Sequence, residues 1–208
     1  MLSPAEVRER YERVCGEVGP AVTVVAATKY VALADMGVLA EAGIEVVGEN
    51  RVQDLEAKHA EYGDAFRWHF IGRLQSNKVK PVNRICELVH SLDSHSAARR
   101  LEVPALVQVN LAGEGSKAGV VPAEVCDYLC YGPIGLSTMP PSAPSAEASR
   151  PWFRRLRELA ADHGLRELSM GTTQDYGVAA AEGATYVRLG SVLFGAQPPA
   201  VAGVTIRP

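Results

Sequence analysis

The feature that most constrains how this chain can fold is an alternation. Short apolar, β-branched runs recur along it, at residues 22–28, 45–49, 67–72, 87–93, 105–111, 134–139, 167–170 and 185–190. A run that is apolar throughout reads as a strand covered on both faces, which is the setting of a parallel sheet. Amphipathic segments separate the runs, at 32–42, 51–61, 77–85, 94–101, 122–129, 149–163 and 174–182. The first of these carries Leu33, Met36, Leu39 and Ala40 on one face, and Gly43 closes it. About eight strands, each followed by a helix, make the α/β pattern of a single (β/α)8 barrel of the TIM type. A doubly wound open sheet gives the same alternation, because a linear pattern does not show closure.

An extra helix at 4–17 precedes the first strand. Ser3 is placed as its N-cap, Pro4 at its first position and Glu6 three residues after the cap, the spacing of a capping box. Gly19 and Pro20 stop it. Such barrels take ~200 residues at the least and typically ~250. The 208 residues therefore read as one domain over 1–208 with short connections. One segment breaks the rhythm: residues 140–151 are rich in Pro, Ala and Ser and read as a mobile loop after the sixth strand.

Charge narrows the function classes. Lys plus Arg is 21 and Asp plus Glu is 24, a net charge of -3, so the basic excess of a nucleic-acid binder is missing. No apolar run approaches the ~18–20 residues of a membrane span. The polar, helical start lacks the apolar core of a secretion signal, so a cytoplasmic protein is expected. The four cysteines, Cys15, Cys86, Cys126 and Cys130, lack zinc-finger spacing. They are expected to be buried or half-buried thiols in a reducing compartment, with no metal site.

In a barrel of this kind chemistry gathers where strands end. The first ends in Ala27-Thr28-Lys29. Lys29 is either a solvated strand-end lysine or a desolvated amine able to form a Schiff base with a carbonyl. The second ends at Asn50, which also suits a helix N-cap. In the third, His69 lies between Trp68 and Phe70 and is either a hydrogen-bonded core residue or a site residue. The seventh and eighth ends, Gly171-Thr172-Thr173 and Gly190-Ser191, put glycine beside hydroxyls where barrels commonly bind phosphate. Arg188, between Val187 and Leu189, alternates to the opposite face and points into the barrel mouth. A charge there needs a partner, either a structural salt bridge or a ligand. Because strands 1 and 8 are neighbours in a closed barrel, lysine, arginine and phosphate cradle make one constellation. It suits an aldehyde that carries a phosphate, of which pyridoxal phosphate is the familiar case.

The stretches VVAATKYV, VVGENRVQD, WHFIGRLQSNKVK, SLDS, VQVNLAGEGSKAGV, GLSTMPP and LSMGTTQDYGVAAAEGATYVRLGSVLFG run nearly end to end along the chain. Together they resemble the pyridoxal phosphate homeostasis proteins, relatives of the N-terminal barrel of alanine racemases. The resemblance implies a fold-type III barrel holding pyridoxal 5'-phosphate (PLP) as an internal aldimine on Lys29. It implies Arg188 near the pyridine nitrogen, Thr173, Gly190 and Ser191 on the phosphate with Gly171 beside them, and Asn50, His69 and Ser137 lining the pocket. An arginine does not readily give up a proton. The ring then stays a poor electron sink, which disfavours carbanion chemistry.

The chain departs from the family where Gly171-Thr172-Thr173 stands for the usual Gly-Met-Ser, and where Ser137 stands for a common methionine. The resemblance implies a protein that buffers or delivers PLP without a committed reaction. The alternative is a racemase-like enzyme, which would need a second acid/base group from a further β-rich domain. A chain ending at Pro208 is expected to leave no room for one. PLP-dependent apo-enzymes are the implied partners and a monomer the implied state.

Overall fold

The computed structural model describes residues 3–115 and 118–195. The expected single domain over 1–208 takes in residues 1–2, 116–117 and 196–208, which lie outside the described residues. Eight strands close into a parallel barrel in sequence order: β1 (Thr23–Ala27), β2 (Val46–Glu49), β3 (Arg67–Phe70), β4 (Leu88–Leu92), β5 (Ala105–Val109), β6 (Gly135–Thr138), β7 (Glu167–Ser169) and β8 (Tyr186–Leu189). Closure runs through β1 and β8, with Val25 opposite Arg188. The open sheet is thereby excluded.

The alternation along each strand sorts residues into two interiors. Val24, Ala26, Val47, Trp68, Phe70, Val89, Val107, Leu168, Val187 and Leu189 pack outward with the helices in one continuous apolar cluster. Their alternates turn into the barrel: Val25, Val46, His69, His90, Leu106, Ser137, Ser169 and Arg188, all buried. The outer layer is hydrocarbon. The inner one is partly polar, and its polar members must satisfy one another there.

The helices are α1 (Pro4–Val18), α2 (Met36–Glu41), α3 (Val52–Tyr62), α4 (Val79–Ile85), α5 (His95–Ala98), α6 (Arg150–Asp162), α7 (Tyr176–Ala181) and α8 (Ser191–Phe194). In α6, Phe153, Leu156 and Ala160 recur at helical spacing and lie buried. Removing Phe153 and Leu156 from water contributes about 1.5–3 kcal/mol each. Glu182, just past α7, accepts hydrogen bonds from Arg150 (2.8 Å) and Arg157 (2.9 Å) of α6 and so ties the two helices together.

Several expectations are corrected. The capping box at Ser3 does not form: its side chain makes no cap bond, and only its carbonyl accepts, from the Val7 N–H at 3.0 Å. The helix expected over 32–42 splits into a 3-10 turn (Leu33–Asp35) and α2. The one expected over 122–129 is a 3-10 helix (Pro122–Tyr131) stopped by Gly132 in the left-handed conformation. The stretch 140–151 is not loop throughout. It contains a 3-10 turn (Ala146–Ser149) and the start of α6, pinned where Arg150 meets Glu147. Cys86 is buried and Cys15 half-buried, but Cys126 and Cys130 are exposed, because the short 3-10 helix turns only Val125 and Tyr128 inward. Among the described residues no helix is long and apolar enough to cross a membrane.

Candidate functional site

A cavity of about 740 Å³ opens at the carboxyl ends of the strands, within the range that takes a small-molecule ligand. Its lining includes Lys29, Asn50, Thr173, Arg188, Gly190 and Ser191. The barrel thus brings six of the nine candidate residues to one place from the ends of four strands.

Lys29 follows β1 in a turn and is exposed, with its ammonium 4.7 Å from the centre of the Tyr30 ring. The desolvated setting considered for it is not found. The amine instead stands at the open rim, the one lysine on the wall among the described residues.

Arg188 is buried under that rim. One guanidinium nitrogen donates to the Thr138 carbonyl at 2.7 Å and lies 3.1 Å from the Met139 sulfur, while its Nε has no partner. Burial pushes the guanidinium down to about 10, against a pull upward from Asp175, so it remains cationic at neutral pH. The structural salt bridge weighed for it does not form among the described residues. Asn50, just past β2, likewise leaves its side-chain Oδ1 buried and unpaired. A buried donor or acceptor left without a partner costs about 1–3 kcal/mol. These are the two such atoms among the described residues, and both belong to residues of this wall.

The ends of β7 and β8 make the cavity's other side. The Thr173 hydroxyl accepts from the Val192 N–H at 3.4 Å and so links the two loops. Thr172 is used differently: its N–H and hydroxyl both reach Asp175 Oδ1, at 2.8 and 3.2 Å, which shapes the entry to α7. Gly190 precedes α8, and a Cβ there would meet nothing nearer than the Ala27 carbonyl at 3.5 Å.

Three candidates lie off the wall. Gly171 is buried, its carbonyl accepting from the Arg188 N–H at 3.0 Å. Its φ of 91° favours glycine, and a Cβ would come within 2.6 Å of the Ala179 side chain. It sets the path of the loop. His69 and Ser137 sit deeper, in the barrel. His69 Nδ1 pairs with His90 Nε2 at 3.0 Å, and His90 Nδ1 with the Ser169 hydroxyl at 2.7 Å. The Ser137 hydroxyl donates to the His90 carbonyl. Burial pushes His69 down to about 4 and holds His90 well below the usual imidazole range, with His69 and Arg188 adding to the effect on His90. Both rings are neutral near pH 7 and form the floor beneath Arg188. His69 and Ser137, expected to line the pocket, turn inward from their strands and are held in this network; neither is among the residues of the cavity wall.

A further network escapes the sequence reading. The Lys58 ammonium, buried on α3, donates to the Thr28 carbonyl at 2.8 Å and is ion-paired with Glu49 of β2. Glu49 also accepts from the Thr28 hydroxyl at 2.6 Å and, through its second oxygen, from the Asn50 N–H at 3.1 Å. The signal was present: Val52, Leu55 and Lys58 fall three residues apart on the buried side of α3, and a lysine on such a stripe needs an anion.

No family model matches the chain. A protein of Aquifex aeolicus named pyridoxal phosphate homeostasis protein is 42% identical, over 74% of this chain and 77% of that one. One of Synechocystis with the same name is 35% identical over 94% and 99%. Among solved structures, PipY of Synechococcus elongatus, determined with PLP bound, superposes with a TM-score of 0.83 at 32% identity, covering 91% of this chain and 100% of that one. A closed barrel with this cavity, alike in sequence over 77% and 99% of the length of the two named relatives, belongs to the pyridoxal phosphate homeostasis protein family.

Proposed function

We propose that the cavity holds PLP and that the chain keeps the cofactor in reserve and hands it on, without a committed reaction of its own. The observation that carries this reading is the pair of unpartnered buried atoms, Asn50 Oδ1 and Arg188 Nε, on the wall of a cavity whose rim presents the Lys29 amine. An acceptor and a donor left open in a buried wall are what a polar heteroaromatic ligand completes.

When bound, the cofactor supplies an aldehyde able to condense with a primary amine and a phosphate that needs several donors. Lys29 is the amine. Thr173, Gly190 and Ser191 are the phosphate side, where hydroxyls and the first amides of α8 stand together. Arg188 would face the ring nitrogen as a donor that keeps its proton, which would leave the ring a weak electron sink. Gly171 holds the loop path. His69 and Ser137 act from below by fixing His90 under Arg188. PLP-dependent apo-enzymes are the recipients in this reading, and a single chain in the cytoplasm is the working unit.

The test is an absorption spectrum of the purified chain with PLP, before and after borohydride. An imine band that borohydride removes, with the reduced label on Lys29, is expected, and Lys29→Ala loses both. A protein that stays colourless with PLP overturns the reading. Racemisation of alanine or serine well above the rate of free PLP overturns the non-catalytic half.

A further inference from the structure

We propose that the buried Glu49–Lys58 pair is a positioning device that sets where Lys29 and Asn50 stand on the cavity wall. The proposal rests on the cofactor reading above and deepens it, by assigning two residues that lie off the wall.

Thr28, directly before Lys29, is fixed at every polar atom. Its N–H donates to the Gly48 carbonyl at 3.0 Å, its hydroxyl to Glu49 at 2.6 Å, and its carbonyl accepts from both Lys58 and the Val31 N–H at 2.8 Å. The last two bonds bracket the turn that carries Lys29. The other oxygen of Glu49 takes the Asn50 N–H. From the far side, Gly72 presses against Asn50 so closely that a side chain at Gly72 would collide with the Asn50 carbonyl. One carboxylate and one ammonium therefore hold the chain at both the amine and the unpaired acceptor. Glu49 is 0% exposed and Lys58 5%.

Stability alone does not account for such a pair. Buried ion pairs exchanged for apolar residues are often neutral or stabilising, whereas breaking one partner leaves a stranded charge. What an apolar pair would not supply is the set of directed bonds to Thr28 and Asn50. At metal sites, comparable partners behind the ligating residues tune affinity or activity by ~10–100-fold.

The test uses the full chain and the double variant Glu49→Gln/Lys58→Met, which removes both charges together. Without cofactor, hydrogen exchange at the Val31 and Asn50 amides is expected to rise about tenfold or more, while that at Leu193, bonded to Gly190, stays unchanged. With PLP, the Kd read from the imine band is expected to weaken by about tenfold or more. Lys58→Arg keeps charge and donors and is expected to remain within about threefold of the parent chain.

Unchanged exchange and unchanged Kd, with only a lower Tm, would show a merely structural pair and overturn the proposal. Should the double variant fail to fold, Thr28→Val removes only the hydroxyl link. Faster exchange at Val31 and a several-fold weaker Kd then support the device, and unchanged values refute it. If the parent chain shows no imine band, the cofactor reading fails, and the exchange measurements still decide whether the pair holds the two segments.

Discussion

Arg188→Met separates two roles that one buried cation could play, an anchor for the fold and a donor for the ligand. The drop in Arg188 from 12.5 to about 10 corresponds to about 3 kcal/mol against the charged form in the folded chain. Because the folded state holds the proton less tightly than the unfolded one, this penalty is present at all pH values below about 10. Against it stands the hydrogen bond to the Thr138 carbonyl at 2.7 Å, a charge-assisted contact contributing about 1.5–3 kcal/mol, with a weaker one to the Met139 sulfur beside it. The two nearly cancel. Methionine keeps the unbranched stem and lies next to Met139 without a charge to bury. The variant is therefore expected within about 1 kcal/mol of the parent in stability, a Tm change of no more than about 4 °C for a chain of this size. The donor lost from the cavity is worth about 1.5–3 kcal/mol to a bound acceptor, or roughly 10- to 150-fold in Kd for PLP. Thermal unfolding without cofactor and titration of the imine band read the two quantities independently. A fall in Tm beyond about 10 °C would make Arg188 a structural anchor, and an unchanged Kd would remove it from the cofactor's surroundings. Either result refutes the reasoning.

The neutral histidine pair predicts acid sensitivity above the range where carboxylates titrate. His69 lies at about 4 when folded against 6.5 as a free side chain, so the unfolded state binds more protons between those values. Stability is then full above about pH 6.5 and falls as the pH drops toward 4, by about 3 kcal/mol for this ring. Tm measured across pH 4–7 is expected to decline in the parent chain and to decline less steeply in His69→Gln, which keeps the buried His90; equal slopes in both would refute the assignment. Gly171→Ala is expected to cost about 2 kcal/mol or more in urea unfolding, from the positive φ and the crowding against Ala179. A cost below about 0.5 kcal/mol would show that the loop relaxes without loss.

The barrel was legible because its cause is local. Strands buried on both faces must be written as apolar runs, and the helices that cover them must be written as stripes, so the sequence order of β1 to β8 follows from patterning. Closure was not legible, since it lives in the pairing of Val25 with Arg188 across the length of the chain. Helix boundaries were least so around residues 94–101 and 122–129, where α5 is a single turn and its successor a 3-10 helix. Strand-end positions gave Lys29, Asn50, Thr173, Arg188, Gly190 and Ser191. Depth was harder: alternation says that His69 and Ser137 point inward but not on which level of the barrel they lie. His90 and Ser169, which complete their network, stood inside runs read only as strand. Lys58 was overlooked because a lysine in a helix ordinarily signals the solvent side, and its anion sits nine residues away on another element.

Closing the sheet has one more consequence. Every strand of β1 to β8 has a neighbour on both sides, so the barrel presents no row of open backbone donors and acceptors. Such a surface cannot be extended by strand addition, whether by a second copy during aggregation or by a partner borrowing an edge. Any macromolecule that meets the mouth of the barrel therefore meets loops and side chains, not a strand edge. Among the described residues, Tyr30 at 58% and Met139 at 47% are the large apolar side chains exposed at the cavity rim.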